Sequence, residues 1–348
     1  MKFNASRMKN NKMSLKKKLL IFLAVTAAVL VCCACGYIYY VLDSMSRNAV
    51  PIVSGSANID YEEPDVELVS PDASYGENGD DTEGAESSDS IYEQAQLSGD
   101  IINILLIGRD SRDAGNDRGR SDTMILLSYN SREGKAALVS LMRDILVPID
   151  GHGWNRLNSA FSWGGIGLCI NTINANFDLD IQKYIIIDFE GMIDLVDEIG
   201  GIDVTITEAE AELYRKWGLD ITAGEVHMDG ETALRHARNR DIGNDFGRTS
   251  RQRDILIAFY KKALSSINIK TAPSFISFAL EKIDTNLEAA EIITLAANVL
   301  SSGGVNKIET GCVPKSGTWK NAVYNGMSIL KIDIEENTEY LHSMIYGD

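Results

Sequence analysis

Three apolar runs of strand length follow one another closely: IINILLIG at residues 101–108, TMILLSY at 123–129 and AALVSLM at 136–142. Two more, YIIIDF at 184–189 and GIDVTI at 201–206, lie beyond them. Strands that are apolar along their whole length are typical of a sheet covered on both faces. Because the links between the first three runs are too short for helices, the sequence predicts a mixed sheet.

Segments with helical periodicity alternate with the later strands and would cover that sheet. They lie at about residues 164–177, 190–199, 229–238, 248–267 and 286–301. We therefore predict the α/β fold class, with a mixed sheet covered by helices on both faces, for one domain over residues 99–348.

The first hundred residues divide by charge into three segments. Residues 1–18 hold seven positive charges and no acid, residues 19–42 carry no charge, and residues 43–100 hold 15 acids and one base. As a helix the uncharged run is about 36 Å long, enough to cross a bilayer core of about 30 Å. Because the basic cluster precedes it, we expect one transmembrane signal anchor, with residues 1–18 in the cytoplasm and the main domain outside the bacterial cell membrane. A cleaved signal peptide is the alternative.

Composition restricts the remaining classes of protein. Residues 43–98 are rich in Ser, Gly, Asp and Glu, which predicts a disordered acidic tether. A net charge of −17 argues against a nucleic-acid binder, which needs a basic face. Outside the anchor the cysteines are Cys169 and Cys312; a disulfide between them is possible, but two separate buried thiols are the favoured interpretation.

The sequence lacks several common catalytic patterns, including a phosphate-loop lysine, a dinucleotide glycine fingerprint and a nucleophile-elbow serine. Instead it has three clusters of Arg and Asp: GRDSRDAGNDRGRSDT at 108–123, Arg143-Asp144, and RHARNRDIGNDFGRTSRQR at 235–253. One Arg side chain can bind two phosphate oxygens at once, and Asp can ligate Mg²⁺ or Mn²⁺ beside a phosphate. The clusters predict a polyphosphorylated substrate; solvated surface ion pairs are the alternative.

Spacing within the third cluster indicates a helix that begins near Gly247. Arg248, Arg251 and Gln252 lie at i, i+3 and i+4, on one face of that helix. The amino end of a helix also attracts anions, so it would add to the same site.

Six motifs, taken together and in order over about residues 103–253, resemble the LytR–CpsA–Psr family: NILLIGRDSR, GRSDTMILLS, SLMRD, RLNSAF, FEGMIDLVDEIGGIDV and HARNRDIGNDFGRTSRQRD. The resemblance implies a phosphotransferase. Its donor would be a glycopolymer, such as teichoic acid or capsular polysaccharide, on a polyprenyl-pyrophosphate carrier. Its acceptor would be a hydroxyl of peptidoglycan.

The resemblance also implies residue roles. Asp110 and Asp122 would hold a divalent metal, Mg²⁺ or Mn²⁺. The residues that would bind the pyrophosphate are Arg120, Arg143, Arg238, Arg240, Arg248 and Gln252. Arg143, Arg238, Arg240 and Asp245 would be catalytic.

Three features depart from the family pattern. Met142 stands where proline is usual, Ser159 replaces a frequent histidine, and the loop 241–244 is short. They bear on the acceptor side and the loop geometry, because no matched charge is lost.

A lipid tail needs an apolar slot, and two helical segments are candidate walls. They are IGLCINTINANF at 166–177 and ILIAFYKKAL at 255–264, with ordinary core as the alternative. Two other functions also fit the residues. One is a polyprenyl pyrophosphatase with water as acceptor, and the other is a non-catalytic envelope regulator that binds anionic lipid.

Overall fold

The computed structural model describes residues 63–69, 100–110, 120–268, 270–301, 305 and 307–347. Every described residue belongs to one compact unit, which spans Asn48–Asp348. The predicted anchor at 19–42 lies outside the described residues. Among the residues that are described, no helix combines the length and hydrophobicity needed to cross a bilayer.

Strands and helices alternate through the domain. In chain order the strands are β1 (Glu67–Leu68), β2 (Ile101–Asp110), β3 (Arg120–Asn130), β4 (Lys135–Leu141), β5 (Leu146–Ile149), β6 (Gly153–Arg156), β7 (Lys183–Asp188), β8 (Ile202–Ile206), β9 (Gly224–Met228), β10 (Ile283–Thr285), β11 (Lys307–Val313), β12 (Trp319–Tyr324) and β13 (Met327–Ile332). The helices are α1 (Leu157–Phe177), α2 (Phe189–Glu198), α3 (Glu208–Lys216), α4 (Gly230–Arg238), α5 (Asp245–Ser266), α6 (Ala272–Lys282), α7 (Ala289–Ser301) and α8 (Ile334–Tyr346).

The central sheet has six strands in the order β10-β7-β2-β3-β4-β11. Strands β2, β3 and β4 are successively antiparallel, whereas β7 runs parallel to β2 and β11 parallel to β4. The predicted mixed α/β architecture is therefore confirmed. Strands β2, β4, β7 and β11 all point the same way, so their last residues share one edge of the sheet, which we call the carboxyl edge.

Helices cover both faces of this sheet, as predicted. On β2, Leu105 and Ile107 belong to a core that also contains residues of α1 and α8, such as Ile170 and Leu341. The intervening Leu106 borders a cavity lined by α2, α4 and α5. This alternation follows from the two-residue period of a strand.

Two predicted elements differ in the structure. The run at 201–206 is not in the central sheet, because β8 pairs with β9 as a separate hairpin. Its burial alternates along the strand, which is typical of a hairpin with one solvent-exposed face. Helix α1 starts at Leu157 rather than 164, and Gly165, whose φ is 68°, interrupts it at that point.

A small three-stranded sheet, β1-β12-β13, lies beside the β5–β6 hairpin. Glu67 and Leu68 of β1 pair with β12, although the sequence assigns residues 63–69 to the tether. This segment therefore lies on the domain, and the rest of the predicted tether up to 98 lies outside the described residues. Cys169 and Cys312 are both free, which confirms two separate thiols.

Candidate functional site

The carboxyl edge brings the predicted Arg–Asp clusters together. Asp110 ends β2 and is in register with Arg120, which begins β3. The register shifts between Gly108 and Arg109, so that Asp122 has no partner across the bulge. The backbone thus carries both predicted metal ligands to the same edge, but the side chains at 110, 120 and 122 are not among those described. The described residues contain no group of three or more His, Cys, Asp or Glu that could hold a metal.

Arg143 and Asp144 follow β4 and form an ion cluster with Arg156 at the end of β6. Oδ2 of Asp144 lies 3.3 Å from Nε of Arg143, and its Oδ1 lies 3.5 Å from Nη1 of Arg156. Burial raises the pKa of Asp144, the two arginines oppose that shift, and the charge of Asp245 adds to it. The negative charges of Asp144 and Asp245, from the second and third clusters, therefore act on each other. Arg156, which begins the RLNSAF motif, was not among the predicted site residues.

The amino end of α5 supplies the second half of the site. The Asn244 side chain caps the helix by accepting hydrogen bonds from the backbone N–H groups of Phe246 and Gly247. The helix consequently begins at Asp245, two residues before the predicted start. Oδ1 of Asp245 lies 2.9 Å from Nη1 of Arg248, whose side chain is buried. Together with the cluster around Asp144, these residues form what we call the arginine–aspartate cluster: Arg143, Asp144, Arg156, Asp245 and Arg248.

Arg251 does not join that cluster, although helical spacing predicts a shared face with Arg248. Its Nη2 donates to the backbone carbonyls of Asn239 at 2.6 Å and Ile242 at 3.0 Å. Its Nη1 lies 3.4 Å from Oε1 of Glu210 on α3. Arg251 therefore holds the loop between α4 and α5, which carries Arg240. The guanidinium of Arg251 is occupied by these three contacts.

A buried polar cluster surrounds that anchor. Glu210 forms a capping box with Thr207, and the hydroxyl of Tyr214 is hydrogen-bonded to Nδ1 of His236. Burial lowers the pKa of His236 to about 4, with the negative charge of Glu210 opposing and the positive charge of Arg251 adding to the shift. The imidazole is therefore neutral at pH 7.

An apolar cavity of about 180 Å³ lies between the central sheet and α2, α4 and α5. The guanidinium of Arg238 borders this cavity and stacks over the ring of Phe189 at 4.3 Å. Gln252 also borders it, and its Nε2 donates to the carbonyl of Ala237 at 3.4 Å. Arg240 lies exposed on the following loop. Of the predicted pyrophosphate-binding groups, Arg238 of α4 and Gln252 of α5 thus lie beside an apolar space.

Of the two predicted slot walls, one borders this cavity and the other does not. Segment 255–264 contributes Ile255, Leu256 and Phe259 to the cavity lining. Segment 166–177 does not border it, because Cys169 and Ile170 pack into the core on the opposite face of the sheet.

Two of the departures from the family pattern are accommodated locally. Ser159 donates from Oγ to Oδ1 of Asn155 at 3.0 Å. Met142, which precedes Arg143 in the chain, is buried in the core. The third departure, the short loop 241–244, is held at Ile242 by Arg251.

Comparison with known proteins identifies relatives. The LytR_cpsA_psr family model matches residues 72–343. A polyisoprenyl-teichoic acid–peptidoglycan teichoic acid transferase, TagU of Oceanobacillus iheyensis, is 35% identical over 233 residues, covering 65% of this chain and 70% of that protein. TagU of Enterococcus faecalis is 31% identical over 241 residues, covering 68% of this chain and 76% of that protein.

Solved structures agree with this assignment. The crystal structure of Bacillus subtilis TagV has a TM-score of 0.60 and 27% identity, covering 72% of this chain and all of that one. YwtF (TagT) with bound octaprenyl pyrophosphate lipid has a TM-score of 0.56 at 23% identity, covering 71% of this chain and 91% of that one, and supports the fold. The predicted enzyme class, a phosphotransferase, is confirmed by the named relatives. The chain therefore belongs to the LytR–CpsA–Psr family.

Proposed function

We propose that this enzyme transfers a glycopolymer with its linking phosphate from a polyprenyl-pyrophosphate carrier to a hydroxyl of peptidoglycan. The observation that carries the proposal is the stacking of Arg238 on Phe189 at the border of the apolar cavity. A polyprenyl pyrophosphate needs cationic groups directly beside an apolar slot, and this border offers both.

The lipid tail would enter between the sheet and α5, past Leu106, Leu256 and Phe259. A related protein binds octaprenyl pyrophosphate, which supports this class of donor. The cavity of about 180 Å³ is smaller than typical ligand pockets of about 300–1,000 Å³. Donor entry therefore requires outward movement of these side chains.

The pyrophosphate would lie at the carboxyl edge. We assign its binding to Arg120, Arg143, Arg238, Arg240, Arg248 and Gln252. Asp110 and Asp122 would hold Mg²⁺ or Mn²⁺, because carboxylates are the ligands that these cations prefer and the register brings both residues to that edge. When bound, the cation would supply positive charge beside the pyrophosphate oxygens.

The reaction would be a single displacement at the phosphorus nearer the sugar. The acceptor hydroxyl forms the new P–O bond, and the bond to the bridging oxygen breaks, so polyprenyl phosphate leaves. Arg143, Arg238 and Arg240 would stabilise the charge that grows on the phosphate oxygens. Asp245, whose side chain is 35% exposed, would accept the hydroxyl proton.

The membrane arrangement is also part of the proposal. Residues 19–42 would anchor the chain, with 1–18 in the cytoplasm, and the acidic segment 43–98 would tether the domain outside. This arrangement would keep the carboxyl edge near a membrane-held donor. Protease added to intact cells should remove the domain and leave the amino end protected.

A transfer assay tests the proposed function. The full-length protein in detergent would be mixed with a polyprenyl-pyrophosphate oligosaccharide, a soluble peptidoglycan fragment and Mg²⁺. Mass spectrometry should detect an acceptor that has gained the phosphoglycan, and Arg238→Ala should abolish the gain. Free phosphoglycan alone would instead identify a pyrophosphatase, and donor binding without turnover would identify a regulator.

A further inference from the structure

A groove of about 950 Å³ lies beside the β5–β6 hairpin and is lined by none of the residues of the apolar cavity. Residues 63–68, the β5–β6 hairpin, the end of α1 and the β12–β13 pair form its walls. Trp154 and Trp319 line it, and neither is used by the proposed donor site. Its volume is at the upper end of the range for ligand pockets, about 300–1,000 Å³.

Two chain segments connect this groove to the arginine–aspartate cluster. Leu146 and Trp154 line the groove, and they lie two residues from Asp144 and Arg156 respectively. Two residues of extended chain span about 7 Å. The groove therefore begins within about 7 Å of the backbone that carries the cluster.

A ring contact makes a third connection. The indole of Trp319 stacks on Phe246 with 5.1 Å between ring centroids, and Phe246 directly follows Asp245 in the first turn of α5. The indole of Trp319 would thus lie between such a ligand and Phe246, in the helix turn that carries Asp245, the proposed general base.

The charges of the groove limit which substrate it suits. Four acids line it against two lysines: Glu63, Asp65, Asp333 and Glu336, with Lys320 and Lys331. Lys331 is already paired with Glu63 at 2.9 Å, and Glu336 lies 3.6 Å from Lys315, so the remaining charges of the groove are Asp65 and Asp333 with Lys320. A phosphate-bearing glycopolymer would be repelled by this surplus of acids, whereas an uncharged sugar chain would not.

We infer that this groove binds an uncharged amino-sugar stretch of the peptidoglycan acceptor and directs its hydroxyl towards Asp245. The flat faces of Trp154 and Trp319 would cover sugar C–H groups, and the surrounding polar side chains would meet hydroxyls and amides. This inference rests on the proposed function, because it supplies that reaction with its acceptor site.

Fluorine NMR on the full-length protein tests the site without requiring turnover. The chain contains four tryptophans, and 5-fluorotryptophan would give each its own resonance. A soluble peptidoglycan fragment, added without donor, should shift the resonances of Trp154 and Trp319. Trp163 and Trp217 do not line the groove and serve as internal controls. Shifts confined to the controls, or none at millimolar fragment, would overturn the inference.

Kinetics separate this inference from the proposed function. Trp319→Leu should raise the KM for the acceptor at least about tenfold and change the KM for the donor less than about twofold, while the matched Trp163→Leu should change neither. Transfer with an unchanged acceptor KM in Trp319→Leu would refute the groove and leave the proposed function intact. Fragment binding at Trp319 without any transfer would refute the proposed function and leave the groove.

Discussion

Arg248 and Arg251 lie one helical turn apart on α5 and have different partners. Arg248 pairs with Asp245 at the cluster, whereas Arg251 turns towards the loop 239–242 and Glu210. Sequence spacing places them on one face, and it cannot reveal that a loop folds back to meet one of them. Conversely, motif resemblance singles out Arg143 and Asp245, about 100 residues apart in the chain, as members of one site, and that assignment stays a prediction.

Removing Arg251 should destabilise the fold strongly. Arg251→Met would leave Glu210 buried without its counter-charge, which typically costs about 3–5 kcal/mol. For a domain of this size that corresponds to a fall in Tm of about 6–20 °C, measured by circular dichroism. Arg215→Met is the matched control, because its pair with Glu208 is shorter, at 2.7 Å, but exposed. The control should change Tm by less than about 4 °C; equal shifts would contradict the anchoring role.

Arg238 should be needed as an arginine and not only as a positive charge. Arg238→Lys would keep the charge but lose the planar group that stacks on Phe189 and can bind phosphate oxygens in pairs. We expect the transfer rate to fall at least about tenfold. Arg235→Lys is the control, since Arg235 lies on the same helix but stacks over Trp217 at 5.4 Å, away from the cavity. Similar rates for the two variants would refute the assignment of Arg238.

At the level of elements, α5 separates two environments. Its Leu256 faces the apolar cavity, and the next residue, Ile257, borders a polar pocket beside β8. The sequence predicted α5 and its apolar stretch, because their periodicity is local. It could not choose between 166–177 and 255–264 as the cavity wall, because hydrophobicity does not tell which face of a sheet a helix covers.

Filling the cavity should block the lipid tail. Leu256→Trp adds bulk where the tail would lie, so the KM for a long-chain donor should rise at least about tenfold, and less for a donor with a short prenyl chain. Ile257→Trp, one residue away and facing the other pocket, should leave the donor KM within about twofold. An equal rise for both chain lengths would indicate a general disturbance and would contradict a tail-binding cavity.

The packing of α3, α4 and α5 around His236 predicts a dependence of stability on pH. The pKa of His236 is lowered from 6.5 to about 4, so between those values the unfolded chain binds a proton that the folded chain does not. The contribution of His236 to the free energy of unfolding should therefore be fully present above pH 6.5 and be lost as pH decreases towards 4. Urea titrations from pH 4 to 8 measure this slope.

A variant without the titrating ring isolates the contribution of His236 from that of the carboxylates. In His236→Gln the slope between pH 4.5 and 6.5 should be flatter than in the wild type by an amount of order 1–3 kcal/mol over the window. Parallel pH profiles for the two proteins would mean that His236 is not held neutral by its surroundings.

For the whole molecule, contacts between segments that are close in the sequence can be predicted from it, whereas contacts between distant segments cannot. The strands of the central sheet that contact one another locally, β2, β3 and β4, were predicted because their apolar runs are continuous. Strand β11, which joins the same sheet from beyond residue 300, was missed because nothing local signals a pairing with β4. For the same reason the groove between residues 63–68 and β12–β13 could not be predicted.

The central claim is that the phosphorus atom nearer the sugar is transferred to peptidoglycan. An isotope label on that atom tests the claim directly. A donor would carry ³²P only in the phosphate nearer the sugar, and the full-length enzyme would act on it with a soluble peptidoglycan fragment and Mg²⁺. We predict that the label appears in the peptidoglycan fragment and that the polyprenyl phosphate released is unlabelled. Label in the polyprenyl product, or only in phosphoglycan free in solution, would contradict transfer to the wall.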